Sequence, residues 1–235
     1  AAEAIGRRAA ERTVARLSPR KLGTCAAPVL FAPEVARSLL GALVNAVSGG
    51  ALYRRASFLV DALGTPVLAD GLDLVEDPWL RRGFGSCWFD AEGVATAPNT
   101  LVAGGILQRY VLGSYSARKL GLESTGNAGG IHNLMLKGGD PVPFEALLAR
   151  MDRGLLVTEL MGQGLNLVTG DYSRGASGFW VEGGTIQYPV DEVTIAGNMR
   201  AMLRGIVGVG TDVDVRSHLL CGSLLVDRLT IAGAG

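Results

Sequence analysis

The side chains that could carry out hydrolysis are few in this chain, and they are poorly spaced for it. The 235 residues include two histidines, His132 and His218, and neither is followed by glutamate. A hydrolytic zinc site needs about three protein ligands, usually including histidine, and a nearby carboxylate base. The helical zinc-peptidase signature, which opens with His-Glu, is therefore absent from the sequence. The sequence predicts neither a metal site nor a catalytic residue.

Nucleophilic catalysis has one candidate pair, His218 and Cys221. Strand residues three positions apart point to opposite faces, so this pair could act together only across a turn. A free cysteine usually behaves as a small buried hydrophobe, and no G-x-S-x-G nucleophile elbow occurs. We therefore expect a polar loop histidine beside a semi-buried thiol. A hydrolase that uses the pair remains an alternative.

Nucleotide and nucleic-acid binding are disfavoured by the glycine loops and by the charge balance. Residues 126–130 are glycine-rich but lack the Gly-Lys-Ser/Thr of a phosphate loop and do not open a helix. Lysine plus arginine and aspartate plus glutamate both number 22, which gives a formal net charge of zero. Nucleic-acid binders normally carry a basic excess, because phosphate contacts supply much of their affinity. We expect no nucleic-acid partner.

Hydropathy and cysteine usage predict a soluble cytoplasmic protein that does not enter a membrane. No apolar run approaches the roughly 20 residues of a membrane helix, and the first residues lack the apolar core of a signal peptide. The three cysteines, Cys25, Cys87 and Cys221, are too few and too far apart for a disulfide framework. The start at alanine suggests that an upstream part is missing.

The elements that must position any site are predicted from periodicity and turn signals. Helices are expected at residues 1–17, at about 33–48, at 144–151 and at 198–209. The second of these is apolar nearly all round, so it should be buried. Strands are expected at residues 25–31, 65–75, 106–114, 131–136, 179–182, 185–189 and 223–231. Gly183-Gly184 should form a two-residue hairpin turn. The predicted fold is α+β, a single domain over 1–235 with a β-rich antiparallel core and few helices.

Five segments of the sequence together carry a family resemblance. They are residues 159–182 (ELMGQGLNLVTGDYSRGASGFWVE), 186–190 (IQYPV), 194–198 (TIAGN), 114–120 (SYSARKL) and 125–130 (TGNAGG). The chain resembles the PmbA/TldE family, which belongs with the TldD/PmbA metalloprotease-related proteins of peptidase U62 type. The resemblance covers nearly the whole chain and corresponds to the family's C-terminal region, so the family's N-terminal domain is expected to be the missing part.

The resemblance implies a subunit without catalytic residues of its own. TldD and TldE pair into a cytoplasmic protease that acts on peptides and unfolded segments, and TldD carries H-E-x-x-x-H on a helix after two leucines. The similar helix here reads LLGALVNA over residues 39–46. Gly41 and Ala46 stand where the histidines would be, and Ala42 stands where the glutamate would be. These side chains cannot bind metal or carry a proton, so zinc is expected only in the TldD-type partner.

Peptide capture is the role expected for this chain beside such a partner. Glycine-rich strand edges suit it, because an extended peptide can add as a strand through main-chain hydrogen bonds. Met161, Gly162, Gln163 and Gly164 are the predicted peptide-binding edge. Cys221 with its following glycine resembles a Cys-Gly pair of TldD and is interpreted as a relic or a packing residue. Two alternatives stay open: a self-contained or homodimeric peptidase, and a purely structural interaction module.

Overall fold

The computed structural model describes residues 2–233, which form six helices and eleven strands. The helices are α1 (Ala2–Val14), α2 (Pro33–Ala46), α3 (Gly49–Tyr53), α4 (Ser114–Leu120), α5 (Phe144–Met151) and α6 (Met199–Arg204). The strands are β1 (Cys25–Phe31), β2 (Leu72–Glu76), β3 (Asn99–Ala103), β4 (Ile106–Leu107), β5 (Leu134–Gly138), β6 (Gly154–Met161), β7 (Asp171–Glu182), β8 (Thr185–Asn198), β9 (Ile206–Val209), β10 (Leu219–Leu220) and β11 (Leu224–Gly233).

The strands form two sheets. The larger has the order β1-β6-β7-β8-β11-β9, and β1 also pairs with β11, so five strands close into a ring and β9 extends it. The smaller has the order β10-β5-β2-β3-β4. Most pairings are antiparallel, but β1 with β6 and β10 with β5 are parallel. The predicted α+β class with a β-rich core is confirmed, and the sheets are mixed rather than wholly antiparallel.

Helix α2 packs over the large sheet and borders the cleft described below. It begins with Pro33, whose fixed φ and missing N–H suit a first helical position. Leu39, Leu40 and Leu43 are at most 1% exposed and pack in the main core. The predicted buried helix is confirmed, although its packing leaves one stripe of small and polar residues uncovered. The same core includes alternate residues of β1 and β6, while α5 packs against the opposite face.

The hairpin of β7 and β8 is confirmed and is much longer than the sequence signal. Gly183 and Gly184 have φ values of +58° and +66°, which the two-residue turn requires. The strands that they join have 12 and 14 residues. Residues two apart on a strand share a face, so this long hairpin carries rows of side chains from the turn to the cleft.

Several predicted boundaries are wrong where turns interrupt an extended pattern. Residues 65–75 contain a strand only from Leu72, because Gly64 and Gly71 adopt positive φ and turn the chain. Residues 106–114 contain only the short β4, and the helix α4 that follows was not predicted. The predicted helix at 198–209 ends at Arg204, because Ile206–Val209 pairs with β11 as a strand.

The leading helix α1 lies on the surface and has no buried residue. Polar contacts attach it: Arg12 bonds Glu34 of α2, and Arg16, in the turn that follows α1, bonds Glu159 of β6. No helix within residues 2–233 combines the length and the apolar character that crossing a membrane requires.

Candidate functional site

A cleft of about 520 Å³ lies between α2 and the start of β7. One wall is a stripe of α2 formed by Ser38, Gly41, Ala42 and Asn45. Their spacings of three and four residues place them on a single helix face. Residues of the following turn and of α3 continue this wall: Ser48, Gly50, Ala51 and Arg54. The small side chains of the stripe keep the cleft open.

The opposite wall consists of the loop after β6 and the first residues of β7. Gly162, Gln163 and Gly164 line it, followed by Leu165, Leu167, Tyr172 and Arg174. The N–H of Ser173 donates to the carbonyl of Gly164 at 2.7 Å, which fixes the loop against β7. A methyl group at Gly164 would overlap the Ser173 carbonyl oxygen, so this close approach requires glycine.

The three positions that correspond to the metal motif of TldD do not all lie in the cleft. Gly41 and Ala42 line the cleft, whereas Ala46 is fully buried and its carbonyl accepts a hydrogen bond from Ser57 Oγ at 2.6 Å. A Cβ atom at Gly41 would lie 3.7 Å from Leu219 Cδ1, which is an ordinary contact distance, so a larger residue could begin there without a clash. Residues 2–233 contain no group of three or more His, Cys, Asp or Glu side chains that could hold a metal ion.

The predicted peptide-binding edge is placed partly on β6 and partly in the cleft wall. Met161 is the last residue of β6 and pairs with Gly175 of β7. The parallel pairing with β1 ends at Val157, so no described strand pairs with residues 158–161 on that side. Gly162, Gln163 and Gly164 lie beyond the strand and face α2 across the cleft. Their peptide-binding role stays a prediction.

Two polar side chains of β7 that the sequence analysis did not single out lie in this cleft. Tyr172 is 4% exposed, and neither its hydroxyl nor Arg174 Nε has a hydrogen-bond partner among the described residues. Burial raises the pKa of Tyr172 to about 12, and the nearby Arg174 guanidinium offsets this only in part. The hydroxyl therefore stays protonated at neutral pH. Positions 172 and 174 are two apart, which is the signal that could have grouped them.

A family model described as the PmbA/TldA metallopeptidase C-terminal domain matches residues 24–233. The chain belongs to the PmbA/TldD family. Metalloprotease PmbA of Escherichia coli O157:H7 is 55% identical over 98% of the chain and 51% of that protein. A TldD homologue of Haemophilus influenzae is 24% identical over 82% of the chain and 45% of that protein. The predicted family membership is confirmed, and the chain spans about half the length of the curated relatives it matches.

Solved structures of PmbA/TldD relatives have the same fold. A protein from Thermotoga maritima, described as a candidate modulator of a DNA gyrase, superposes with a TM-score of 0.90 at 36% identity. TldE from Thermococcus kodakarensis superposes with a TM-score of 0.85 at 26% identity. Each match covers 98% of this chain and 55% of the relative.

The candidate nucleophile of this PmbA/TldD family member is Cys221, and the candidate bases are His132 and His218. Cys221 is 1% exposed, and burial raises the pKa of its thiol to about 12, so it is a neutral packing residue. It is more deeply buried than the semi-buried position expected from the sequence. His132 is buried with Nδ1 2.9 Å from Glu76 Oε1, and His218 is exposed. The hydrolase alternative therefore lacks a reactive thiolate.

Proposed function

We propose that this chain is the non-catalytic PmbA/TldE-type part of a cytoplasmic TldD/TldE protease. A TldD-type subunit would supply the zinc and the catalytic residues, and this chain would help to hold the peptide or unfolded segment. The observation that supports this most directly is the cleft. In it, Gly41 and Ala42 of α2, whose side chains have no atom that could bind a metal, face the glycine loop at the end of β6.

The donor set of α2 supports a role without metal chemistry in this chain. Gly41, Ala42 and Ala46 provide no nitrogen, oxygen or sulfur side-chain atom. Ser38 and Asn45 are the polar residues of the same helix face, and one hydroxyl with one amide is a poor zinc site. These residues do not fit a zinc ion, so no step of the mechanism passes through one here. The helix instead acts as a smooth wall against which a peptide can lie.

Main-chain capture is the mode of peptide binding that the geometry supports best. The backbone of residues 158–161 is unpaired on the side away from β7, and an extended peptide can add there as a strand. A peptide in that position continues past Gly162 and Gly164 towards the cleft. Because main-chain bonds read no side chain, this mode would accept many sequences.

An aromatic loop supports the proposed partner. Trp79, Phe84, Trp88 and Phe89 are 48%, 75%, 73% and 63% exposed, and the rings of Trp79 and Trp88 are 6.0 Å apart. Clustered exposed aromatics mark protein interaction sites. The same loop favours a second candidate function, a purely structural interaction module with no role in holding peptide.

The three free cysteines fit a reducing compartment such as the cytoplasm.

The deciding experiment is peptidase activity with added zinc, measured on the full-length protein alone, on its TldD-type partner alone and on the mixture. The proposal predicts activity that depends on the mixture. Activity of this protein alone, abolished by a chelator, would overturn it.

A cleft-blocking variant separates the proposal from the structural module. Gly41→Phe places a ring in the cleft, and it should lower turnover of the mixture at least tenfold while the two subunits still co-elute. Gly6→Phe is the matched control, because Gly6 is a helical glycine of α1 with no atom within 4 Å of a Cβ. Unchanged turnover with Gly41→Phe would favour the structural module.

A further inference from the structure

The unpartnered polar atoms of the cleft are exceptional in this molecule. Within residues 2–233, three buried side-chain atoms have no hydrogen-bond partner: Tyr172 Oη, Arg174 Nε and Thr158 Oγ1. The first two line the same cleft, and the third lies on β6 where pairing with β1 has ended. Buried polar groups are normally hydrogen-bonded, because an unmade bond costs free energy. The Tyr172 hydroxyl and the Arg174 guanidinium are also near enough to interact with each other, so together they present one pair of incompletely bonded donors to the cleft, which a ligand can complete.

The charge of the cleft selects the kind of ligand. Arg54 and Arg174 line it, and no aspartate or glutamate does. Arg37 and Arg216, by contrast, each form an ion pair with Asp214, in which the nitrogen and oxygen atoms are 3.2 Å or less apart. The cleft thus holds positive charge without an internal counter-ion, which attracts an anion and disfavours a cation.

The donors on β7 suit a planar anion with two oxygens. Tyr172 and Arg174 are two apart on the strand and project from the same face. The tyrosine hydroxyl stays protonated and can donate, and the guanidinium donates from Nε and its terminal nitrogens in a fixed fork. Carboxylates accept such paired donors, and charge-assisted bonds of this kind are the stronger ones.

We propose that the cleft binds a carboxylate of the peptide through the Tyr172 hydroxyl and the Arg174 guanidinium. This inference rests on the proposed function, because it names the substrate class of the same cleft. A peptide has two sources of a carboxylate, its C-terminus and its aspartate or glutamate side chains. Either source lets the chain hold one end or one acidic residue of the peptide while the main chain lies along β6.

The test measures the affinity of the full-length protein for four labelled peptides of one length by fluorescence anisotropy. The peptides combine a free or amidated C-terminus with an internal glutamate or glutamine. Preference for the free C-terminus identifies that source, and preference for glutamate identifies the side chain; either result supports the inference. Equal affinity for all four peptides would overturn it.

Variants then assign the preference to the two residues. Arg174→Gln should weaken binding of the preferred peptide roughly tenfold or more, the size of a lost charged hydrogen bond, and leave the amidated glutamine peptide unchanged. Arg174→Lys, which keeps the charge without the fork, should lose less. Tyr172→Phe should also reduce the preference. Arg150→Gln, an exposed arginine of α5, is the matched control. Equal weakening of all four peptides by Arg174→Gln would contradict the assignment.

The two proposals can fail separately. If the carboxylate preference is present but the mixture with the TldD-type partner cuts no peptide, the proposed protease function fails and the binding site stands. If the mixture cuts peptides but the preference is absent, the inference about the carboxylate fails and the protease function stands. Thermal melting of each variant checks that the fold is intact.

Discussion

Two buried polar regions of this fold differ in whether their hydrogen bonds are made within the chain. In the smaller sheet, the Glu76 cluster is satisfied: the Glu76 carboxylate accepts from His132 N at 2.6 Å, His132 Nδ1 at 2.9 Å, Asn127 Nδ2 at 2.8 Å and Asn99 Nδ2 at 2.6 Å. In the cleft pair, Tyr172 is buried and Arg174 is half-buried, yet Tyr172 Oη and Arg174 Nε have no hydrogen-bond partner among residues 2–233.

This difference separates polar groups that hold the fold together from polar groups that remain available to a ligand. A satisfied buried network specifies and rigidifies the fold, whereas an unsatisfied one costs stability unless something outside the chain completes it. The Glu76 cluster contains a histidine and a carboxylate, which resembles an active site by composition. The cleft pair contains neither, but it has unfilled bonding capacity. Residue type alone would therefore point to the Glu76 cluster, whereas unfilled bonding capacity points to the cleft pair.

The largest expected effect comes from removing the acceptor of the Glu76 cluster. Glu76→Ala should lower the free energy of unfolding by about 3 kcal/mol or more, because several buried donors lose their shared acceptor. Urea unfolding at pH 7 measures it. Glu76→Gln retains one acceptor oxygen and should lose less. A loss below about 1 kcal/mol for Glu76→Ala would show that the cluster is not structural.

The opposite sign is expected at the cleft pair. Tyr172→Phe should leave the free energy of unfolding unchanged or raise it by about 1 kcal/mol, because among residues 2–233 the lost hydroxyl makes no well-formed hydrogen bond and interacts only with the nearby Arg174 guanidinium. Tyr110→Phe is the matched control, since Tyr110 Oη is buried and accepts from the N–H of Ala62 at 2.9 Å. The control should lose about 1 kcal/mol. Equal losses in the two variants would erase the distinction between the regions.

Local parts of this fold were predictable from the sequence, but the closure of five strands into a ring was not. The limits of β1, the start of α2 at Pro33 and the turn at Gly183-Gly184 were predictable, because each depends on neighbouring residues. The pairing of β1 with β11 was not predicted, since Cys25 and Ile231 lie near opposite ends of the chain. Helix α4 was missed because its short pattern follows an extended stretch.

The candidate site was predictable in part for the same reason. The family resemblance indicated Gly41, and the glycine-rich strand edge indicated the loop at Gly162–Gly164; the structure places the two across one cleft. The cleft pair was missed, because whether a buried hydroxyl is satisfied depends on contacts between distant segments. Local periodicity groups Tyr172 with Arg174, but it cannot show that both lack partners.

A smaller effect is expected on the other wall of the cleft. Gly41→Ala should raise the free energy of unfolding by about 0.5–1 kcal/mol, because alanine favours the helix and the added Cβ would make only an ordinary contact, with Leu219 Cδ1 at 3.7 Å. Gly49→Ala in α3 is the matched control, since its methyl group would overlap the Ser116 side chain, and it should be destabilising. A loss at Gly41→Ala would mean that this position is constrained by packing rather than left open.

The smallest effect tests a second satisfied carboxylate near the Glu76 cluster through its pH dependence. Asp90 is buried, which raises its pKa, but backbone N–H groups of Ala128, Val94 and Glu92, each at 2.9 Å, outweigh this and hold the pKa below its usual value. A lowered folded-state pKa stabilises the fold above the unfolded value of about 3.9, and this contribution is lost as the pH falls through the folded-state pKa.

The stability difference between the native protein and Asp90→Asn should therefore be largest near pH 7 and shrink below about pH 4. Chemical unfolding of both proteins at a series of pH values measures it, and the other carboxylates cancel because they are common to both. A difference that is constant down to pH 3 would show that the three N–H donors do not favour the ionised form. The Glu76 cluster would then stand alone as the satisfied counterpart of the cleft pair.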